Sequence, residues 1–373
     1  MNKSTLLGLA LAMLVPTVAL ADGVTVGGDV RLRWDYSGND TAASDNSSSA
    51  VTNIDLDAAI NDNVSFSATL RHDFTFGEAN GPGAGVPAPW IQEAYASVGD
   101  LGSASGVLAG WSLDVGRMNN PDYGRIINSD DWDQNTAPAS NDGYHLASSM
   151  SGIGIDLYYF GGGGSPAGSA DNTLGANFDL GDMGGFADIA VGYWGASAGA
   201  VDSSNTSVSI SNIGGDSLAG VNLDVQFATS DDGNGATEDG SLTSISASYG
   251  LGDMGMTLHA SNTVADATWS AMSDAPHGAN GIADLIGGAG ADIDNTTIGL
   301  SFSPMDGVDA TIDFITLATD AAGTDLGTET DLVLSWECGS DVTMDIGYAT
   351  FSADTGGGMT DDDFFYLQTG WDF

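Results

Sequence analysis

The chain has 373 residues, with 51 acidic against 6 basic side chains and a formal net charge of −45. Gripping phosphates takes clustered Lys and Arg, so this balance excludes nucleic acid as a partner. A single cysteine, Cys338, excludes an intrachain disulfide and is expected as a small buried or wall residue.

Lys3, an apolar run over 6–20 and the small-x-small triplet Ala19-Leu20-Ala21 read as a secretory signal peptide spanning residues 1–21. Residues 22–373 are then the exported part. No later stretch approaches ~18 consecutive apolar residues, so no transmembrane helix is expected. The exported part holds no lysine, which removes P-loop chemistry. The texture of the whole chain is uniform, rich in Gly (54) and poor in Pro (9), with no linker. One large unit is expected.

Read in steps of two, the runs separate into faces. Over 24–36 the even positions are Val24, Val26, Val30, Leu32, Trp34 and Tyr36, against Thr25, Asp29, Arg31, Arg33 and Asp35. Over 63–76, Phe66, Leu70 and Phe74 oppose Ser67, Arg71 and Asp73. Around 153–159, Ile155, Leu157 and Tyr159 oppose Asp156 and Tyr158. Leu223, Val225 and Phe227 oppose Asp224 and Gln226, and Met344, Ile346 and Tyr348 oppose Asp345. A period of two with one apolar face is a half-buried strand. The runs near 142–150 and 204–213 alternate poorly.

The connections are of two kinds in alternation. Short ones fall at 61–62, 99–100, 181–184, 252–255, 305–307 and 339–340; long ones at 37–50, 77–88, 118–141, 161–170, 195–204, 230–239, 264–292, 318–328 and 352–362. This rhythm predicts an all-β fold: a transmembrane antiparallel β-barrel of about eighteen strands, with short periplasmic turns and long extracellular loops. The final strand ends on Phe373, sharing a face with Phe365, Leu367 and Trp371. A terminal aromatic of this kind resembles the signal read by the outer-membrane barrel-assembly machinery. Gln368 stands where that signal has glycine.

Three stretches, "VTVGGDVRLRWDY", "IQEAYASVGDL" and "LDVGRMNNPDYGRIINSDDW", resemble outer-membrane porins of the alginate-export type. The resemblance covers residues 24–36 and 91–142. It implies an eighteen-stranded barrel and an arginine-lined conduit for an anionic polysaccharide. The sequence departs from that family at Met118, in place of glutamine, and at Ala137 and Ala139, where a further arginine is expected.

All five arginines lie in the first third of the chain. Arg31, Arg33 and Arg71 fall on the polar phase and are expected to form one positive strip in the lumen. Glu93 and Asp114 are expected beside them. Arg117 and Arg125, with Asp130, Asp131 and Asp133, open the 118–141 loop, expected to fold inward and narrow the channel. Opposed rows of charge would set a transverse field there. Arg117 shares the phase of Leu113 and Val115, so a bulge must intervene if it is to line the pore.

Catalytic signals are weak. Gly195 to Gly199 reads G-x-S-x-G but lies in an expected loop. His259 and Ser261 resemble the pair of outer-membrane phospholipases, yet alternation puts both on the polar face. No cofactor is expected; the acidic loops, 131–135 and 287–294 among them, suit weak calcium binding at most. The reading is a non-enzymatic, passive Gram-negative outer-membrane channel with an acidic lumen, whose partners are membrane lipid and small hydrophilic solutes. The alternatives are a dedicated saccharide or alginate-type conduit, and a non-conducting structural or adhesive barrel with divalent-binding loops.

Overall fold

The computed structural model describes residues 23–39, 45–75, 89–121, 140–161, 172–198, 201–214, 218, 220–233, 239–252, 255–270, 281–283, 291–339 and 341–373. The signal-peptide segment 1–21 lies outside them. The strands are β1 (Val24–Asn39), β2 (Asp45–Asn61), β3 (Val64–Thr75), β4 (Trp90–Val98), β5 (Trp111–Asn119) and β6 (Ser140–Met150). Next come β7 (Ile153–Gly161), β8 (Asn172–Asp182), β9 (Asp188–Ala198), β10 (Val201–Ser211), β11 (Val221–Asp231) and β12 (Gly240–Gly250). The last six are β13 (Met256–Ala265), β14 (Ile293–Met305), β15 (Val308–Ala318), β16 (Asp325–Glu337), β17 (Val342–Ala353) and β18 (Asp362–Asp372).

Each strand pairs antiparallel with its sequence neighbours, and β1 closes the cylinder on β18, from Asp29↔Asp372 to Asn39↔Asp362. The last residue completes the seam. Phe373 donates its N–H to Gly28 O at 3.0 Å, and Gly28 returns a bond to Phe373 O at 3.2 Å. Closure gives each described strand a hydrogen-bonded neighbour on both sides, which is what lets a sheet exist without water or another chain along its rim.

The period-two pattern decides which side faces in. Trp34, Phe66, Leu70, Phe227 and Leu367 face outward and are exposed. Ile298 and Phe314 are each 59% exposed, values that mark a surface built to face something other than water. The polar phase, with Arg33, Arg71, Asp114 and Asp331, faces the barrel axis. The weakly alternating runs are strands too, β6 and β10; their Ser, Asn and Gly content hides the pattern from the sequence but not from the ladder.

Three expectations are corrected. Residues 195–204 are not a long loop: Val201↔Ala198 through Ser204↔Gly195 are register partners, because small residues pair without advertising a hydrophobic period. The 99–110 connection is not a tight turn but two short 3₁₀ turns, Leu101–Ser103 and Gly106–Leu108, the first capped by Asp100 accepting from Gly102 N at 2.7 Å. Cys338 is exposed, since it falls in the turn after β16 rather than in the wall.

Candidate functional site: the inner wall

On β1 and β3 the inward residues alternate charge. Arg33 Nε donates to Asp35 Oδ1 at 2.6 Å and Arg71 Nε to Asp73 Oδ1 at 2.7 Å, while Arg31 Nε lies 3.5 Å from Asp29 Oδ2. In each case the partner is two residues along the same strand, the spacing that returns to the same face. Arg33 also stacks on Tyr366, its guanidinium carbon 4.4 Å from the ring centroid, so it stitches β1 to β18 across the closing seam. Arg33 and Arg71 are buried. The strip expected to be positive is therefore three inward Arg–Asp pairs with little net charge.

Glu93 and Asp114 are inward as well. Glu93 Oε1 accepts from Asn119 N at 2.9 Å, and Asp114 accepts from Ser97 Oγ at 2.6 Å. Asp114 belongs to a cluster that sequence reasoning missed. His145 stands between two carboxylates, Nδ1 3.0 Å from Asp114 and Nε2 3.0 Å from Asp156. Its ring stacks on Tyr158 at 4.2 Å and 5°. The readable signal was Tyr158, an aromatic on the polar phase. A second histidine, His259, reaches Asp313 at 2.6 Å across β14, where Gly299 has no side chain to block it.

Arg117 is corrected. No bulge interrupts β5 against β6, so it stays on the outward phase with Val115 and pairs with Asp142, Nε to Oδ1 at 2.9 Å. Arg125, Asp130, Asp131 and Asp133 lie outside the described residues, and with them most of the expected 118–141 constriction.

A different connection folds inward. After β13, Trp269 is buried against the inward residues Ala228, Leu242, Ala265, Ile293, Ile315, Leu317 and Phe351. Ser270 N donates to Ser230 Oγ at 3.1 Å, and Asn205 Nδ2 donates to Ser270 O at 2.9 Å. Further along the same connection, Ile282 N donates to Asp331 Oδ2 and Ala283 N to Glu329 Oε1, both at 3.0 Å. Both carboxylates are buried in the inner wall of β16. Backbone donors thus meet the two most deeply buried acids among the described residues.

Large aromatics on the inner wall lie over glycines of the neighbouring strand. Trp194 covers Gly175, Tyr366 covers Gly347 and Phe160 covers Gly143, each a direct register pair in which a Cβ would collide with the ring. Among the described residues no group of three or more His, Cys, Asp or Glu is arranged to hold a metal.

Comparison with solved structures places this architecture. Pseudomonas aeruginosa OccK2 (OpdF), solved in complex with glucuronate, superposes with a TM-score of 0.69 at 14% identity, over 94% of this chain and 98% of its own. The barrel shares its fold. Pseudomonas aeruginosa OpdK with vanillate gives 0.66 at 14% identity, over 93% and 98%, and a BenF-like porin from Pseudomonas fluorescens Pf-5 gives 0.67 at 13%, over 94% and 99%. No family model matches the sequence, and no curated protein does.

Proposed function

We propose that the chain is a passive outer-membrane channel for small hydrophilic solutes, exported by residues 1–21 and inserted by the barrel-assembly machinery through its C-terminal strand. The observation that carries this reading is the inversion of the closed barrel: apolar side chains such as Ile298 and Phe314 cover the outside, and ionisable ones line the inside. Such a surface is stable against lipid and unfavourable in water. The structural neighbours crystallised with glucuronate and vanillate support a small-solute cargo. The alginate-type conduit rests only on the motifs at 24–36 and 91–142, and the arginines it would use are neutralised by their own aspartates.

The lumen selects cations. Three arginines balance Asp29, Asp35 and Asp73, while Asp55, Asp57 and Glu93 have hydrogen bonds rather than cations on them. Reversal potentials across a planar bilayer under a salt gradient test this. Cation preference that weakens as salt screens the lumen is expected; a chloride-preferring channel refutes it. A folded barrel that never conducts favours the structural or adhesive alternative.

A further inference from the structure

Between β4 and β5 the outer wall changes character. Their ladder has five register pairs, from Ala94↔Arg117 to Val98↔Leu113, the shortest among those described. Beyond it the register shift in β4 separates the strands, and Gln92 and Glu93 instead bond Asn119 by side chain. The outward surface here is a cleft of about 570 Å³ walled by Ile91, Ala94, Val115, Tyr144 and Tyr159 and floored by glycines.

Two register pairs beyond Val115↔Tyr144, toward the end with the longer connections, stands Arg117↔Asp142. It is the one arginine among the described residues that faces outward. Asp142 takes two of its five N–H donors, Nε at 2.9 Å and Nη2 at 3.2 Å, and the guanidinium side chain is 38% exposed. Tyr144 and Tyr159 stack directly below at 6.4 Å. Paired tyrosines on an outer barrel face mark the level of lipid headgroups, where a guanidinium costs far less than at the midplane.

We propose that the cleft and Arg117 hold one phosphorylated, acylated glycolipid of the outer leaflet, of lipid A type, with an acyl chain in the cleft and a phosphate on the donors Asp142 leaves open. The proposal rests on the membrane reading above. Charge complementarity argues for it: in a chain of net charge −45, with Asp363 on the outward phase near the same end of β18, anionic headgroups are repelled around the rim and welcomed at this point. A second copy related by a twofold axis would bring the same depression to the same depression and fill neither.

The test uses the full-length exported barrel in phosphatidylcholine nanodiscs, with lipid A titrated in and bound lipid counted by native mass spectrometry. Wild type is expected to retain one lipid A per barrel. The double variant Arg117→Ala/Asp142→Ala, which removes the pair without stranding either charge, should weaken retention about tenfold, the equivalent of one charge-assisted bond. Ile91→Trp, which fills the cleft and keeps the charges, should weaken it too, and Arg117→Lys should keep most of it; these two decide the matter should the double variant misfold. Retention unchanged in the double variant and in Ile91→Trp overturns the proposal. So does equal retention of phosphatidylglycerol, or a wild-type dimer that the double variant dissolves. Conductance of the same preparations separates the two readings: a barrel that binds lipid A through Arg117 but passes no ions sinks the channel alone.

Discussion

Truncating Trp269 to Ala should open the barrel without dismantling it. The ring is 3% exposed and packed among seven buried apolar residues of the inner wall, including Leu317 and Phe351. Removing a buried Trp costs about 3–5 kcal/mol when the site cannot collapse, and a wall of hydrogen-bonded strands cannot. The polar anchors of the same connection are individually smaller. Ser270 N to Ser230 is worth about 0.5–1.5 kcal/mol and the bonds to Asp331 and Glu329 about 1.5–3 kcal/mol each, the latter offset by the repulsion of two acids on one face. The Trp anchor is thus comparable to the others combined, while no ladder pair depends on it. Single-channel conductance should rise, and the folded protein should become cleavable between β13 and β14 while remaining heat-modifiable on gels. Unchanged conductance and cleavage, with a lowered melting temperature, would show that Trp269 supports the wall rather than holding the connection inside it.

Cys338 is a native topology probe: an impermeant maleimide should label it only after the periplasmic face is opened, whereas a cysteine introduced at Thr355 should react on intact cells. Replacing Arg31, Arg33 and Arg71 together by Ala should raise cation selectivity and also destabilise the barrel, since Asp35 and Asp73 lose their partners; reversal potential and thermal melting read the two effects separately. Asp266, just beyond β13, is partly buried, which pushes its carboxyl up, but hydrogen bonds from Ser241 and Thr268 outweigh this and hold it below its ordinary value. Its folded value being depressed, the stabilisation is complete above the ordinary value of about 3.9 and disappears as pH falls through the folded one. Acid should therefore loosen the root of the inward connection, seen as faster proteolysis there, and Asp266→Asn should remove that pH dependence. Gly175→Leu should displace Trp194 at a cost of about 1–3 kcal/mol, with a red-shifted indole emission.

The strand count and the sidedness of Arg31, Arg33, Arg71, Glu93 and Asp114 were legible because a period of two needs only apolar contrast. The phase of Arg117 was legible too, and the structure follows the phase, without the bulge that a pore-lining role required. Residues 195–204 were illegible because Gly, Ala and Ser carry no contrast. The inward course of the connection after β13 could not be read, since its anchors are tertiary: Trp269 finds its pocket on strands as distant as β11 and β17, and nothing in the sequence singles out Glu329. The aspartates two positions from Arg31, Arg33 and Arg71 stood in the sequence, but the expectation of a positive strip left them uncounted, and the structure pairs them.

The glycines beneath Trp194, Tyr366 and Phe160 give this barrel an adjustable gauge. Strand number and shear fix the diameter of the backbone cylinder, but the free width inside depends on how far each side chain stands off it, and a ring seated on a bare Cα borrows the thickness its neighbour does not use. Swapping one partner residue would narrow or widen a chosen sector while every hydrogen bond of the cylinder stayed in place. Barrels of one strand count could in this way be re-bored for different cargo by changes that leave scarcely any trace in a sequence alignment.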